Sequence, residues 1–492
     1  MALLLGPVLF FRGAGDRSFD LSALAGVAAD DSPPPLETAE ERVPPCRLAA
    51  RGDRSLWRYD FSLARSGDRG SEYRIGRQSW RVHLPAGNSS LRLAFTACNG
   101  SEQGNTWGNL QSRNERWLHL AAVHAERPFH LLLQGGDQLY ADPIWHDVPA
   151  LAVWKRLPPW RRRRAPFSPA MADAVADDYF ERYWWLWSQP QLAPVLATIP
   201  SLMMWDDHDI FDGWGSWAAK WQQCPVFQGL WTAAREHFAL FQLAARADDL
   251  PAGFSDRRGG QFGWAYRIAD VGIVAPDLRS ERSRGRVMGD AGWSSFTAAL
   301  RWMADCRHVL LLSSMPLVTC DLRALERLFD LLPGHQTWQD DLVDQWPSRA
   351  HGAEWMRLLR ELAAFSAATG ACVTSLSGEI HLGALGLIES RGTRIYQLTS
   401  SGIVHPPPPA AAVRLLEWIG ARKTPLAPDL TARLLPLPGR GRRFLRARNW
   451  LELEVSADRG LSATWHSEED GEGDGEGPGA PRLSIAPMDA RP

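Results

Sequence analysis

The chain has 492 residues, more than one hydrophobic core usually serves, so a large catalytic domain with smaller companions is the starting expectation. Its 54 basic and 56 acidic residues leave a formal charge of −2, which excludes the strong basic excess of a general nucleic-acid-binding protein. Six cysteines without a Cys-x-x-Cys spacing need no disulfide framework at this length and fit a reducing compartment, and no run reaches the ~18 apolar residues of a membrane span.

Residues 1–11 are apolar but lack a cationic leader and a cleavage site, so they read as a first strand rather than a signal peptide. Residues 56–63 and 80–84 alternate in the manner of half-buried strands, and breaks such as Pro33-Pro34-Pro35 separate the runs. Residues 1–88 are therefore expected to form a β-sandwich-like N-terminal domain. From residue 89 to 448 short buried strands alternate with amphipathic runs of helical length, around residues 178–185, 231–243 and 355–362, the pattern of a layered α/β domain. Residues 150–165 read as a linker-like insert whose four adjacent arginines, Arg161 to Arg164, belong to a solvated loop or meet a phosphate-bearing ligand or anionic lipid. Residues 449–492 are expected to hold a hairpin, 449–455 with 461–465 around Asp458 to Gly460, then an acidic Gly-rich disordered loop and a tail.

The strands of the middle domain end in chemistry. Residues 131–134 stop at Gly135-Gly136 and deliver Asp137, Tyr140 and Asp142; residues 201–205 run into Asp206, Asp207, His208 and Asp209; residues 372–376 run into Glu379 and His381. Residues 91–95 precede Cys98 and Asn99, and residues 272–276 precede Asp277 and Arg279. In open α/β sheets ligands gather outside the carboxyl ends of the strands, so carboxylates, imidazoles and a thiol at one edge form a metal-type ligand set. Two ions about 3.5–4 Å apart, with a carboxylate between them, activate water and neutralise phosphoryl oxygens. Plainer readings stand beside each residue. The Asp206 to Asp209 run can cap a helix, Cys98 can be a small buried hydrophobe, and Tyr140 can simply pack. Arg279 and Arg282 either clamp phosphate or pair with Asp277 or Glu281. His405 reads as a cleft wall or structural turn, and His351 as the surface at the start of the helix around Trp355.

Taken in order, Thr96-Ala-Cys98-Asn99, Gly136-Asp137-Gln-Leu-Tyr140-Ala-Asp142, Trp205-Asp206-Asp207-His208-Asp209 with Gly213-Trp-Gly215-Ser216, Asp277-Leu-Arg279, Leu376-Ser-Gly378-Glu379-Ile-His381 and Leu398-Thr-Ser-Ser-Gly402 resemble the signature blocks of the PhoD-like (alkaline phosphatase D) metallophosphatases, a branch of the calcineurin-like metallophosphoesterase superfamily. The resemblance covers residues 91–405. It implies an α/β fold with a four-layer α/β/β/α metallophosphoesterase core, with residues 89–448 as the metallophosphatase domain and the N-terminal all-β part as an appendage. It also implies Cys98, Asp137, Tyr140, Asp207, Glu379 and His381 as metal ligands, Asp137 bridging, and His208, Asp207 and Arg279 as the catalytic set, His208 serving the phosphate or leaving oxygen. Thiolate, phenolate and carboxylate suit ferric iron, and the oxygen-rich second position suits Ca2+, or Mn2+, Mg2+ or Zn2+.

Two departures from the family pattern stand out. Glu379 occupies a position where the family usually has Asp, shifting a ligand oxygen by about 1.5 Å, and the strand before Ser313-Ser314 lacks the metal-binding His of many calcineurin-like enzymes. The implied function is hydrolysis of phosphomonoesters or phosphodiesters by a metal-bound hydroxide. The alternatives are a catalytically degenerate scaffold that acts as a binding module, or a metal-dependent carboxyl esterase. A small-molecule or polymeric phosphoester is the expected partner, with no membrane span and no general nucleic-acid binding. The bacterial cytoplasm is the expected location, export remains compatible with the sequence, and no motif sets the oligomeric state.

Overall fold

The computed structural model of the chain describes residues 3–65, 67–87, 89–102, 108–320, 344–421, 424–457, 460–469 and 479–486. Its framework is two large sheets. The first has ten strands, in the order Arg482–Ile485, Leu461–Ser467, Asn449–Val455, Leu91–Thr96, Leu131–Gly135, Ser201–Met204, Leu5–Ala14, Ser18–Ala28, Arg54–Ala64 and Cys46–Arg51. The second has nine, running from Trp264–Ile268 through Val271–Ala275, His308–Leu312, Cys372–Ser377, Thr393–Thr399, Gly383–Ser390 and Leu430–Leu435 to Thr424–Ala427, with Phe444–Leu445 paired beside Gly383–Ser390.

The centre of each sheet is parallel. Leu91–Thr96, Leu131–Gly135 and Ser201–Met204 pair in parallel in the first sheet, and Val271–Ala275, His308–Leu312, Cys372–Ser377 and Thr393–Thr399 in the second. Most of these strands are buried along their whole length, which is why they read as unbroken apolar runs rather than as alternating ones. The outer strands of both sheets are antiparallel and alternate, as in Leu430–Leu435 and Leu461–Ser467. Helices Glu115–Glu126, Pro169–Trp187, Ala193–Thr198 and Pro225–Gln242 pack on or above the first sheet, and Asp290–Trp302 and Gly352–Thr369 on the second.

Four expectations change. The N-terminal residues are rich in strands, but the strands do not form a separate sandwich. Leu5–Ala14 joins the core sheet through a parallel pairing of Phe10 with Ser201, and Ser18–Ala28, Arg54–Ala64 and Cys46–Arg51 extend that sheet outward. Only Arg42–Val43, Leu36–Glu37, Gly67–Ile75 and Gln78–Leu84 make a small sheet of their own. An apolar first strand with nothing but its own hairpin would leave one edge unpaired, and Ser201–Met204 supplies the missing partner. The C-terminal hairpin forms, but it too adds to the core sheet, Leu451 lying opposite Phe95. Its expected turn at Asp458 and Arg459, and most of the expected acidic loop, lie outside the described residues. The insert at 150–165 is two short helices, Pro149–Lys155 and Pro159–Arg162, each opened by a proline at its first turn. His351 does precede its helix, but it is buried rather than at the surface. No helix among the described residues is long and apolar enough to cross a membrane.

Candidate metal centre

The carboxyl ends of the parallel strands of both sheets converge on Cys98 and Asp137. The two residues lie on neighbouring loops tied by backbone bonds, Cys98 N–H to the Gly136 carbonyl at 3.2 Å and Asn99 N–H to the Asp137 carbonyl at 2.8 Å. Their side chains meet, with 3.6 Å between Cys98 Sγ and Asp137 Oδ2. From the second sheet, Ser401 donates its hydroxyl to Cys98 Sγ at 3.1 Å. The last signature block thus reaches the first through a hydrogen bond, which their sequence spacing alone does not reveal.

Backbone strain marks the same residues. Among the described residues seven that are not glycine adopt a left-handed φ, and four of them are Cys98, Asp137, Glu379 and His381. Such conformations cost about 1–3 kcal/mol each and persist where the surroundings over-determine them, as at ligand clamps. Gly136, at φ 106°, makes the turn possible; a Cβ there would lie 2.8 Å from Asp206 Cβ.

Asp209 holds the loops in place. Its carboxylate accepts the backbone N–H groups of Asp137 at 3.0 Å, Leu139 at 2.9 Å and Asp206 at 2.9 Å, together with the amide of Gln242 at 2.7 Å. Burial lifts its carboxyl to about 7, while the bonds it accepts pull the other way.

Asp137, Asp207 and His208 present ligand atoms that all lie within 4.8 Å of one another. Burial, then Asp206, Asp207 and Asp209, push the Asp137 carboxyl well above its usual range against the pull of His208. Asp207 accepts Gly213 N–H at 2.8 Å, which orients it. His208 Nδ1 is 2.7 Å from Asp142 Oδ2, and its ring stacks on Tyr140 at 4.4 Å. Burial opposes the imidazolium, but Asp142, Asp207 and Asp137 outweigh it and hold His208 well above its ordinary pKa. Asp142, quoted in its motif without a role, is thereby the orienting partner of His208.

A second cluster forms beside the first from Glu102, His381 and His405. His405 Nε2 is 3.2 Å from the Glu102 carboxylate, and the His381 and His405 rings are 3.4 Å apart between centroids. His381 therefore joins a group that the sequence did not assemble, and His405 is more than a wall. Its ring also stacks at 5.8 Å on Tyr140. Glu379 accepts Gln345 Nε2 at 2.9 Å, and burial, then Asp344 and Asp206, push its carboxyl upward.

Arg279 differs from both sequence readings. It is fully buried, and its guanidinium bonds to Asp206, to Asp207 at 3.2 Å and to Asp344 at 3.0 Å, while Asp277 instead accepts its backbone N–H at 2.9 Å. Arg282 likewise pairs with Asp344, at 2.8 Å. Neither guanidinium stands open to clamp a phosphate. The Gly213-Trp-Gly215-Ser216 block serves this network: Ser216 donates to Asp344 at 2.5 Å, Trp214 Nε1 donates to the Arg279 carbonyl at 3.2 Å, and a side chain at Gly215 would strike Arg282. Ser314, at the strand end without a histidine, donates to Asp206 at 2.7 Å.

The donor set fits cations. The Tyr140 hydroxyl, Glu379 Oε2 and His381 Nδ1 are buried without a hydrogen-bond partner, three orphaned ligand atoms around one cleft. Burial, then Cys98 and Asp137, raise the Tyr140 phenol well above its usual value; burial, then Asp137, raises the Cys98 thiol. A pocket that penalises anions this strongly stabilises them only when positive charge is present.

The model of the family described as PhoD related phosphatase matches residues 100–337. A solved structure of PhoD aligns over 98% of this chain and 90% of that one with a TM-score of 0.60 and 13% identity. Purple acid phosphatase PPD1 from yellow lupin (Lupinus luteus) seeds aligns over 98% and 74% with a TM-score of 0.52 and 11% identity. An uncharacterized protein of Saccharomyces cerevisiae, YGR266W, is 24% identical; the match takes in 74% of this chain and 65% of that protein, so the chain spans less than two-thirds of its length. The family match over residues 100–337 and the two fold matches bear out the resemblance read from the motifs.

Proposed function

We propose that this chain is a metal-dependent phosphoesterase that hydrolyses phosphomonoesters or phosphodiesters at a binuclear site, on a four-layer core in which each sheet carries its own helices. What supports the reading is the meeting of Cys98 with Asp137 at 3.6 Å and the grouping of Asp137 with Asp207, beside the buried and unpartnered Tyr140 hydroxyl, Glu379 Oε2 and His381 Nδ1. In this reading Cys98, Asp137, Tyr140, Asp207, Glu379 and His381 would hold two ions, ferric iron with calcium or another divalent ion, which would activate water and neutralise phosphoryl oxygens.

The residues themselves do the rest. His208, held protonated and oriented by Asp142, donates its proton from Nε2 to the departing oxygen. Arg279 acts as a positioning residue that fixes Asp206 and Asp207. Glu102 lies 3.7 Å from His208 Nε2 and 3.2 Å from His405 Nε2. A reducing bacterial cytoplasm is the compartment we propose, since no disulfide joins any of the six cysteines, all of which are described.

Elemental mass spectrometry of the purified protein beside the Asp137→Asn variant tests the metal site. About two ions per chain, both lost in the variant, together with hydrolysis of p-nitrophenyl phosphate or its bis ester, is the expected result. No metal even after reconstitution removes this reading. Metal without hydrolysis of any phosphoester leaves a binding scaffold, and cleavage of carboxyl esters alone leaves an esterase.

A further inference from the structure

The two helices at residues 149–162 carry a feature that catalysis does not use. The sequence there runs Lys155-Arg156, Leu157-Pro158-Pro159-Trp160, then Arg161 to Arg164, an apolar tip between two basic flanks with six cations and no acid. Trp160 is 54% exposed and Val153 60%. None of the six cations forms a salt bridge among the described residues; Arg161 instead lies over the Trp160 ring at 4.9 Å.

The base of this lobe is anchored. Trp154 is buried, donates Nε1 to the Arg162 carbonyl at 3.0 Å and stacks at 5.7 Å on Trp145, while Arg162 lies 4.9 Å over Trp221. The tip is therefore presented on a fixed mount.

We propose that residues 149–164 dock the protein on an anionic lipid bilayer, with Trp160 and the Leu157-Pro158-Pro159 tip at the boundary between headgroups and acyl chains and the flanking cations on lipid phosphates. Charge complementarity supplies the attraction. The apolar tip selects the occupant, because a soluble polyanion needs only the cations, whereas a bilayer takes up both the cations and the aromatic tip. The lobe follows the Asp137 to Asp142 loop through the helix Ile144–Asp147.

Co-sedimentation of the full chain with phosphatidylglycerol–phosphatidylcholine vesicles and with phosphatidylcholine vesicles, at low and high salt, tests this. Binding is expected only to the anionic vesicles and should weaken with salt. The double variant Arg161→Gln/Arg164→Gln, both exposed positions, should weaken it about 30-fold, roughly 5-fold per cation. Trp160→Ser should weaken vesicle binding several-fold and leave capture on immobilised polyphosphate unchanged. Unaltered thermal midpoints in both variants show that the fold is intact. Wild-type protein that ignores anionic vesicles overturns the proposal; so does Trp160→Ser protein that binds them undiminished, which would make the patch a site for soluble polyanions. Neither result bears on hydrolysis.

Discussion

Asp142 and His208 form the pair on which a proton-transfer step would turn. The 2.7 Å contact fixes the imidazole through Nδ1 and leaves Nε2 toward the cleft. Asp142→Asn keeps the shape but removes the charge, so kcat is expected to fall by about 10²–10⁴ with KM little changed. A purely structural Asp142 would not move the pH profile. His208 acts as an acid only while protonated, and burial alone would lower its pKa; the neighbouring acids raise it, so activity should persist into alkaline pH. Loss of Asp142 should move that alkaline limb to lower pH, and the double variant with His208→Gln should be little slower than either single one. Equal activity of Asp142→Asn and wild type would take His208 out of proton transfer. The sequence displayed Asp142 and His208 in separate blocks, but their pairing is a tertiary fact across 66 positions that no local spacing encodes.

At the scale of elements, buried ionic pins join loops from different strands. Arg279 links the loop after Ser201–Met204 to its own loop after Val271–Ala275 and to Asp344. Replacing it by Met leaves the buried Asp206 and Asp207 without a cation, while Asp344 keeps Arg282, and should cost about 3–5 kcal/mol in urea unfolding, the usual consequence of removing one partner of a buried pair. An unchanged midpoint would mean that the acids pair elsewhere. A milder pin holds the C-terminal hairpin: Glu452 accepts Arg92 at 2.7 Å and His466 Nε2 at 2.9 Å. Burial works against this carboxylate, but His466 and Arg92 outweigh it and draw it from 4.5 to about 2. A depressed carboxyl contributes stability above its unfolded value that disappears as pH falls through the folded one. Glu452→Gln should thus lose about 1–2 kcal/mol near neutral pH, discounted for partial exposure, and the gap to wild type should close as pH falls from about 4.5 toward 2 in calorimetry. Both elements were partly readable. Continuous apolar runs identified the buried central strands because burial on both faces removes alternation, whereas residues 1–88 looked separate because an alternating strand reveals its buried face but not its neighbour. Likewise the run of arginines at 161–164 obscured the prolines at 149 and 159 that open helices there.

Across the whole molecule, the two sheets bring buried acids, a thiol and a phenol from distant positions of the chain together. The order of the motif blocks made that convergence readable; the separate grouping of Glu102, His381 and His405 was not, because it depends on how the loop after Thr393–Thr399 folds back beside Cys98. The cleft is a stability cost to the empty chain. Asp137 and Glu379 carry raised pKa values, chiefly from burial and then from like charge, and Tyr140 Oη has no hydrogen-bond partner. Bound cations remove both penalties in the folded state alone, since the unfolded chain scatters these ligands, so occupancy must stabilise the fold by mass action. An ion present at 100 times its dissociation constant contributes about 2.7 kcal/mol, which for a chain of this length raises the thermal midpoint by roughly 3 °C per ion. Dialysis against a chelator should lower the midpoint by that amount, and titrating iron and then calcium back should restore it in two steps, followed by differential scanning calorimetry. Asp137→Asn protein should melt higher than the stripped wild type, because one buried charge is gone, and should gain nothing from added metal. A midpoint indifferent to chelator and to added ions would leave the cleft a network of protonated acids, and Asp137, Tyr140 and Glu379 would then need a structural explanation instead of a ligand.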